Sequence, residues 1–224
     1  METDINDDIL LVGEANFSFT LSLLKYCDSK YITTSCYEDK ETALKKYGLE
    51  CVSKNLIELS KHLADTQILY EIDATRLIEY FPHKRFIKVI FMFPHIGGKS
   101  NIRKNRELIY RFMISSQQVL NFNNPDLKNS SAVYVILANG QGGTSFEQEP
   151  KKRNNKDSWT VNEIAQKCGL ILTECVPLCE EKFQSYVSTG FRSQNKSFRT
   201  KSGLVHKFEK VVNFKAISKF NNLF

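Results

Sequence analysis

The stretch from Ile9 to Thr20 joins an aliphatic run to a single glycine and then to the start of a helix. The aliphatic run Ile9–Val12 predicts a short strand that is buried on both faces. Gly13 lets the backbone turn sharply and lets a ligand approach it, and Asn16 or Ser18 can cap the helix that follows. A strand, a glycine turn and a helix start of this kind commonly form part of the ligand site in open α/β sheets. Because the second and third glycines of the dinucleotide fingerprint are missing, an ordinary strand–helix turn without a ligand stays as the alternative.

The rest of the chain alternates strand segments with amphipathic helical segments. Further strands are predicted at 31–37, 67–72, 86–93, 132–138, 170–176 and 204–212. Helices are predicted at 41–63 with a break near Gly48, at 77–81, at 102–120 and at 159–168. The alternation predicts an α/β fold, with a mostly parallel seven-stranded sheet and helices on both faces. We expect one domain over residues 9–212, between an acidic tail at 1–8 and a C-terminal tail at 213–224.

Polar or turn residues directly follow each of the first four predicted strands. Because the carboxyl ends of parallel strands share one edge, four loops should meet there: Gly13–Asn16, Glu38–Asp39, Asp73–Ala74 and Phe93–His95. An acid after the second strand can accept both hydroxyls of a ribose. Asp73 can accept a hydrogen bond from an adenine amino group. Capping of the following helix is the alternative for either acid.

Basic residues are concentrated in three parts of a chain whose formal net charge is +6. Residues 181–224 hold nine lysines and arginines but two acids. The other clusters are Lys99, Arg103, Lys104, Arg106 and Arg111, and Lys151–Arg153 with Lys156. Such patches suit a phosphate backbone, so RNA is the expected partner. A solvated face without a partner is the alternative for each cluster. For the neighbouring aromatics Trp159, Phe191 and Phe198, core or rim packing is the alternative to base stacking.

The six cysteines form no Cys-x-x-Cys pair. They indicate reduced packing thiols rather than a metal site. No apolar run approaches the roughly 18 residues that a membrane span needs. The acidic start resembles neither a secretory signal nor a transit peptide. We therefore expect a protein of the cytoplasm or the nucleus and nucleolus, with no membrane partner.

Several short motifs, taken in order, resemble those of a known family. They are Leu10–Phe19 (Leu-Leu-Val-Gly-Glu-Ala-Asn-Phe-Ser-Phe), Asp73-Ala74-Thr75, Phe93-Pro94-His95, Asn105–Leu108 and Ser158-Trp159. The chain resembles the ribosomal RNA (uridine-N3) methyltransferase-like domain over about residues 8–210. Residues 140–144 and 189–198 are similar to one member of that family in particular. The resemblance implies a single Rossmann-like class I methyltransferase domain, S-adenosylmethionine as its cofactor, and a uridine of ribosomal RNA as its substrate.

The resemblance also implies roles for individual residues. The cofactor loop would comprise Gly13, Glu14, Asn16 and Phe17. Glu38 would hold the ribose, and Asp73 and Ala74 would flank the adenine. Phe93, Pro94 and His95 would form the loop nearest the transferred methyl group, and no metal is implied.

The chain departs from the family pattern at three of its motifs. Ala15 stands in place of a second glycine, and Cys36-Tyr37-Glu38 is a loose version of Ser-Tyr-Asp. Met92 stands where the motif Asn-Phe-Pro-His begins, and a methionine neither donates nor accepts a hydrogen bond well. Two hypotheses therefore stand. The chain is an S-adenosylmethionine-dependent RNA methyltransferase, or it is a non-catalytic RNA-binding module that keeps the fold.

His95 is the candidate general base, because a uridine imino nitrogen carries a proton at neutral pH. A histidine satisfied by backbone groups in a proline-containing turn is the alternative. The nearby Gly97-Gly98-Lys99-Ser100 imitates a phosphate-binding loop. Position 93, where that loop needs its first glycine, is a phenylalanine, so an NTPase is excluded.

Overall fold

A computed structural model describes residues 8–64, 67–97, 101–122, 131–147, 153–189 and 202–210. Of the two predicted tails, only Asp8 lies within these ranges. Its backbone carbonyl accepts hydrogen bonds from the amides of Ile87 and Lys88, at 2.8 and 3.3 Å. Asp8 is therefore tied to the sheet rather than part of a separate tail.

Seven strands and six helices form in the described residues, in the predicted order. The strands are β1 (Ile9–Val12), β2 (Ile32–Ser35), β3 (Ile68–Leu69), β4 (Lys88–Met92), β5 (Ala132–Leu137), β6 (Leu170–Pro177) and β7 (Leu204–Lys210). The helices are α1 (Ser18–Leu23), α2 (Lys40–Tyr47), α3 (Leu49–Leu59), α4 (Leu77–Tyr80), α5 (Ile102–Val119) and α6 (Val161–Lys167).

The predicted break near Gly48 is confirmed, and some predicted ends are wrong. Gly48 has φ of 96° and separates α2 from α3. Strand β2 begins one residue later than predicted, because Tyr31 belongs to the 3-10 turn Ser29–Tyr31. Helix α6 begins at Val161, because Thr160 before it is left-handed with φ of 47°. Backbone strain of this kind is not visible in an apolar pattern.

The predicted mostly parallel seven-stranded sheet is confirmed. Its strand order is β3-β2-β1-β4-β5-β7-β6. The first five strands in this order pair in parallel, and β7 pairs antiparallel with both β5 and β6. All the carboxyl ends of the parallel strands therefore open at one edge, with β1 and β4 at its centre.

Strand β1 is buried on both faces, as its aliphatic run predicts. Leu10 and Val12 pack in one apolar cluster, which holds Phe112 of α5 and Ile164 of α6. The alternate residues of β1 pack in a second cluster, which holds Phe19 of α1, Ala43 of α2 and Leu59 of α3. Helices thus cover both faces of the sheet, and successive side chains of β1 point alternately into the two clusters.

The turn after β1 depends on the absence of a side chain at position 13. Gly13 has φ of +70°, and a Cβ atom built on it would lie 2.4 Å from Cε2 of Phe91. The sharp turn predicted at Gly13 is confirmed, and the ring of a neighbouring strand supplies a second reason for the glycine. This ring fills the space beneath the turn.

We expect Gly13→Ala to lower the free energy of unfolding by about 2–4 kcal/mol, because strain and overpacking add. Gly169→Ala is the matched control. Gly169 has φ of +73°, and a Cβ atom added to it would meet no other atom within 4 Å. The Gly169→Ala variant should therefore lose about 1 kcal/mol of unfolding free energy, through backbone strain alone. Denaturant unfolding measures both losses. Equal losses would show that the Phe91 ring moves aside without cost.

Candidate functional site

A cavity of about 710 Å³ opens at the carboxyl edge of the sheet. All four predicted loops contribute to its wall. The predicted site residues that line it are Gly13, Glu14, Asn16, Glu38, Asp73, Ala74, Phe93, Pro94 and His95. The volume lies within the range of about 300–1,000 Å³ that is usual for small-molecule sites.

Glu14 lines the cavity, but its carboxylate is used inside the protein. Its Oε2 atom accepts hydrogen bonds from the amide and the hydroxyl of Thr20, both at 3.1 Å. Thr20 Oγ1 is in turn hydrogen bonded to Thr34 Oγ1 at 2.8 Å. Glu14 therefore caps the first turn of α1. Burial raises the pKa of this carboxyl to about 7, although the Thr20 hydrogen bonds oppose the rise.

Asn16 also uses its side chain within the protein. Its Oδ1 atom accepts hydrogen bonds from the amide of Ser18 at 3.1 Å and from its hydroxyl at 2.8 Å. Its Nδ2 atom donates to the carbonyl of Val187 at 2.9 Å. Asn16 thus contributes to the start of α1, as predicted, and it also binds a distant part of the chain.

Phe17 does not line the cavity, and its assignment to the cofactor site is corrected. Its ring is fully buried and packs edge-on against Tyr70, with ring centroids 5.7 Å apart. The residue is left-handed, with φ of 60°. This turn sends the large ring into the core instead of toward the cavity, so Phe17 supports the loop from below.

Glu38 faces the cavity with both carboxylate oxygens engaged at its rim. Oε1 accepts from Tyr47 OH at 2.8 Å and from Lys46 Nζ, and Oε2 accepts from Cys36 Sγ at 3.5 Å. Burial alone would raise its pKa, but the Lys46 and Tyr47 hydrogen bonds outweigh burial and hold the pKa of Glu38 below its ordinary value. Glu38 is therefore charged at neutral pH.

The neighbouring acid, Asp39, has the capping role that was the alternative for this loop. Its Oδ1 accepts the amide of Thr42 at 2.8 Å and thereby caps α2. Asp73 does not cap a helix. Its Oδ1 accepts from the amide and hydroxyl of Thr75, at 2.8 and 2.7 Å, whereas the first amide of α4 donates to Ser115 Oγ. Asp73 and Ala74 both remain at the cavity wall.

The loop after β4 combines a buried aromatic ring with an exposed histidine. Phe93 has φ of 45°, and its buried ring lies parallel to Tyr186 with centroids 6.1 Å apart. His95 is exposed at the cavity, and its Nδ1 lies 3.3 Å from the carbonyl oxygen of Phe93. Met92 is buried and lines the cavity just before this loop. An apolar thioether therefore stands where a polar group would meet a ligand.

The basic clusters are only partly brought to the site. Lys104 and Arg111 line the cavity, and Arg111 pairs with Glu107 at 2.6 Å. Arg106 instead donates to the carbonyl of Ser158 at 2.7 and 3.1 Å, which is a structural role. Lys99, Lys151 and Lys152, together with Arg192, Lys196, Arg199 and Lys201, lie outside the described residues, as do Phe191 and Phe198.

Trp159 is a core residue rather than a surface for bases. It is buried in the cluster that holds α5 and α6. All six cysteines have free thiols. In the described part of the chain no three His, Cys, Asp or Glu side chains form a metal site, and no helix there has the length and apolarity of a membrane span.

Several cavity residues were not predicted from the sequence. Tyr37 is 64% exposed and lines the cavity beside Glu38. Lys46 and Tyr47 come from the far end of α2, outside any recognised motif. Tyr186–Thr189 comes from the connection between β6 and β7. Tyr37 and Thr189 lie in segments that resemble the family, but the others carry no local pattern, because only the folded chain brings them to the edge of the sheet.

The fold matches that of a solved methyltransferase. A methyltransferase from Clostridium acetobutylicum described as S-adenosylmethionine-dependent superimposes with a TM-score of 0.50, covering 92% of this chain and 85% of that chain at 9% identity. The predicted class I methyltransferase fold is thereby confirmed. A model of the family described as rRNA (uridine-N3-)-methyltransferase BTM5-like matches residues 10–190, and the chain belongs to that family.

Two curated proteins are similar to much of the chain. Human ferredoxin-fold anticodon-binding domain-containing protein 1 is 34% identical over 213 residues, covering 92% of this chain and 31% of the human protein. The 25S rRNA (uridine(2634)-N(3))-methyltransferase of Saccharomyces cerevisiae is 25% identical over 232 residues, covering 83% of this chain and 66% of the yeast protein. The chain thus spans about a third of the length of the human protein.

The raised pKa of Glu14 predicts a pH dependence of stability. The ordinary pKa of this carboxyl is 4.5, and in the folded protein it is about 7. Between these values the folded protein keeps a proton that the unfolded chain has lost. The Glu14 contribution to the free energy of unfolding should therefore fall as the pH rises, by on the order of 2–3 kcal/mol.

Glu14→Gln should remove this contribution in denaturant unfolding measured from about pH 4 to pH 8. Glu41→Gln is the control, because Glu41 is exposed on α2. Parallel pH profiles for the parent and Glu14→Gln would show that Glu14 does not titrate in this window.

Proposed function

We propose that this domain binds S-adenosylmethionine in the cavity and methylates a base of RNA, namely N3 of a uridine in ribosomal RNA. One observation carries the proposal. The loops after β1, β2, β3 and β4 surround a single cavity, with a charged carboxylate after β2. The family match and the activity named for the yeast relative support the choice of uridine.

The residues present fit the cofactor. Glu38 offers charged oxygens to ribose hydroxyls, and Asp73 offers an acceptor to an adenine amino group. The buried side chains of Ile72 and Ala74 give that part of the wall apolar surface for a planar base. When bound, S-adenosylmethionine supplies a methyl group activated on a positively charged sulfur.

Residues of this chain would position the target base and accept its proton. The buried Phe93 and Pro94 exclude water from the loop after β4. His95 at the cavity rim is the group that can take the imino proton of a uridine. Lys104 puts positive charge at the same cavity, where a phosphate of the RNA backbone can pair with it, whereas the charge of Arg111 is already paired with Glu107.

Met92 favours a second candidate function, an RNA-binding module without turnover. Its buried side chain lies at the cavity and cannot hold a target nitrogen by hydrogen bonding. A module of this kind would keep the cofactor cavity and the basic surface. Either function on ribosomal RNA would take place in the nucleolus or the cytoplasm.

The role of Glu38 is tested by cofactor affinity. Glu38→Ala should weaken S-adenosylmethionine binding by about 1–3 kcal/mol, because ribose hydroxyls lose a half-buried charged acceptor. Calorimetry measures the change. Asp39→Ala is the control. Because Asp39 caps α2, this variant should have a lower free energy of unfolding but the same affinity for S-adenosylmethionine. The reverse pattern would contradict the assignment of Glu38.

The role of His95 is tested by turnover. His95→Ala should lower methyl transfer to ribosomal RNA by about two to four powers of ten, with cofactor affinity nearly unchanged, as expected for loss of a general base. Single-turnover assays at saturating cofactor measure the loss. An active parent whose rate survives His95→Ala would remove His95 from the mechanism.

Met92→Asn separates the two candidate functions when the parent is inactive. A gain of methyl transfer in this variant would show that Met92 is the element that keeps an assembled site inactive. A folded variant that binds cofactor but gains nothing would rule out position 92 as the missing element.

A further inference from the structure

The connection between β6 and β7 is held to the cofactor loop and the start of α1 by hydrogen bonds between side chains of Asn16 and Ser18 and the backbone of Val187. The carbonyl of Val187 accepts from Asn16 Nδ2 at 2.9 Å. Ser18 Oγ lies 3.1 Å from the same carbonyl and shares its one proton between this oxygen and the nearer Asn16 Oδ1. The amide of Val187 donates to Ser18 Oγ at 2.9 Å. Both polar groups of one residue are thus bound by the loop that follows β1, although the two segments are far apart in sequence.

Aromatic contacts fasten the same connection on either side of this point. The Tyr186 ring lies parallel to the Phe93 ring, at an interplanar angle of 10°. It lies edge-on to the ring of Phe19 in α1, with ring centroids 5.9 Å apart. The rings of Phe183 and Phe19 also pack together, with centroids 5.0 Å apart, and Tyr26 OH donates to the carbonyl of Lys182 at 2.9 Å. These contacts fix the plane of the Tyr186 ring relative to the loop after β4.

The position of this connection separates it from the cofactor-binding acids. Tyr186–Thr189 lines the cavity and contacts the loops after β1 and β4. Glu38 follows β2 and Asp73 follows β3, and β2 and β3 lie on the other side of β1 in the sheet. The wall formed by Tyr186 therefore stands on the β4 side of the cavity, near Phe93, Pro94 and His95.

We propose that Tyr186 is the stacking surface for the methyl-accepting base, and that Asn16 and Ser18 are positioning residues that hold it there through Val187. This inference rests on the proposed function. Any of the bases can stack on an aromatic side chain, whatever the RNA sequence, because every base has a flat π-face. A ring whose plane is fixed before the base arrives loses little freedom when the base binds.

The inference changes the role expected for Asn16. Its side-chain amide and carbonyl are both bound within the protein, so its contribution to S-adenosylmethionine binding is through the backbone of the loop. Loss of its side-chain contact to Val187 should therefore affect the RNA substrate and leave the cofactor affinity in place.

The test compares Tyr186→Leu, Tyr186→Phe and Ser18→Ala with the parent. Calorimetry gives S-adenosylmethionine affinity, and single-turnover assays with large-subunit ribosomal RNA transcribed in vitro give kcat/KM for RNA. Tyr186→Leu and Ser18→Ala should lower kcat/KM by about 10- to 100-fold, as expected for the loss of a stacked base. Tyr186→Phe keeps the ring and should stay within about threefold of the parent.

Cofactor affinity distinguishes a role of Tyr186 in binding the RNA base from a role in binding S-adenosylmethionine. Tyr186→Leu and Ser18→Ala should keep the parent affinity to within about twofold. A loss of methyl transfer that is restored by saturating cofactor would overturn the inference, and so would variants that methylate like the parent. If Ser18→Ala does not fold, Asn16→Asp removes the Nδ2 donor while keeping the acceptor for Ser18.

A second measurement does not depend on activity. The same RNA, transcribed with 4-thiouridine, should cross-link on irradiation to the peptide that contains Tyr186, and Ser18→Ala should reduce this cross-link by about tenfold. Cross-links confined to other peptides, or none at all, would overturn the inference. A parent that cross-links at Tyr186 but transfers no methyl group would refute the proposed enzymatic function alone.

Discussion

The close approach of Gly13 to the Phe91 ring fixes the turn on which the other loops depend. From this turn the amide of Glu14 donates to the carbonyl of Ser35 at 2.9 Å, which joins the loop to the end of β2. The Glu14 carboxylate then caps α1, and Asn16 binds the connection before β7. A single backbone turn thus orients one helix and two walls of the cavity, and a side chain at position 13 would disturb all of them.

The carboxylates at the cavity have opposite electrostatic environments. Glu14 is buried among hydroxyl groups, and its pKa of about 7 means that it exchanges a proton near neutrality. Glu38 is held in its charged form by a lysine and a tyrosine. Hydrogen-bonded Glu38 can therefore serve a ligand, while Glu14 serves the fold. The two acids follow neighbouring strands but differ in charge near neutrality, because burial dominates the pKa of Glu14 and hydrogen bonding dominates the pKa of Glu38.

The sequence predicted the sheet, its helices on both faces and the four loops, because strand ends and turn residues are local signals. It did not predict which side chains turn inward. Phe17 belongs to a motif, yet a left-handed backbone sends its ring into the core. Tyr186 belongs to no recognised motif, yet contacts across the fold bring it to the cavity. Residues of both kinds depend on long-range packing, which periodicity does not encode.

The antiparallel strand β7 lies between β5 and β6, although it follows both of them in the described sequence. Strand β6 pairs with no strand other than β7 within the described residues. During synthesis, β6 must therefore wait for its neighbour until residues near 210 have left the ribosome. Up to that point the edge of β5 is open to pairing with other chains. Pairing of β7 with β5 closes this edge, and it also completes the connection that carries Tyr186 to its place.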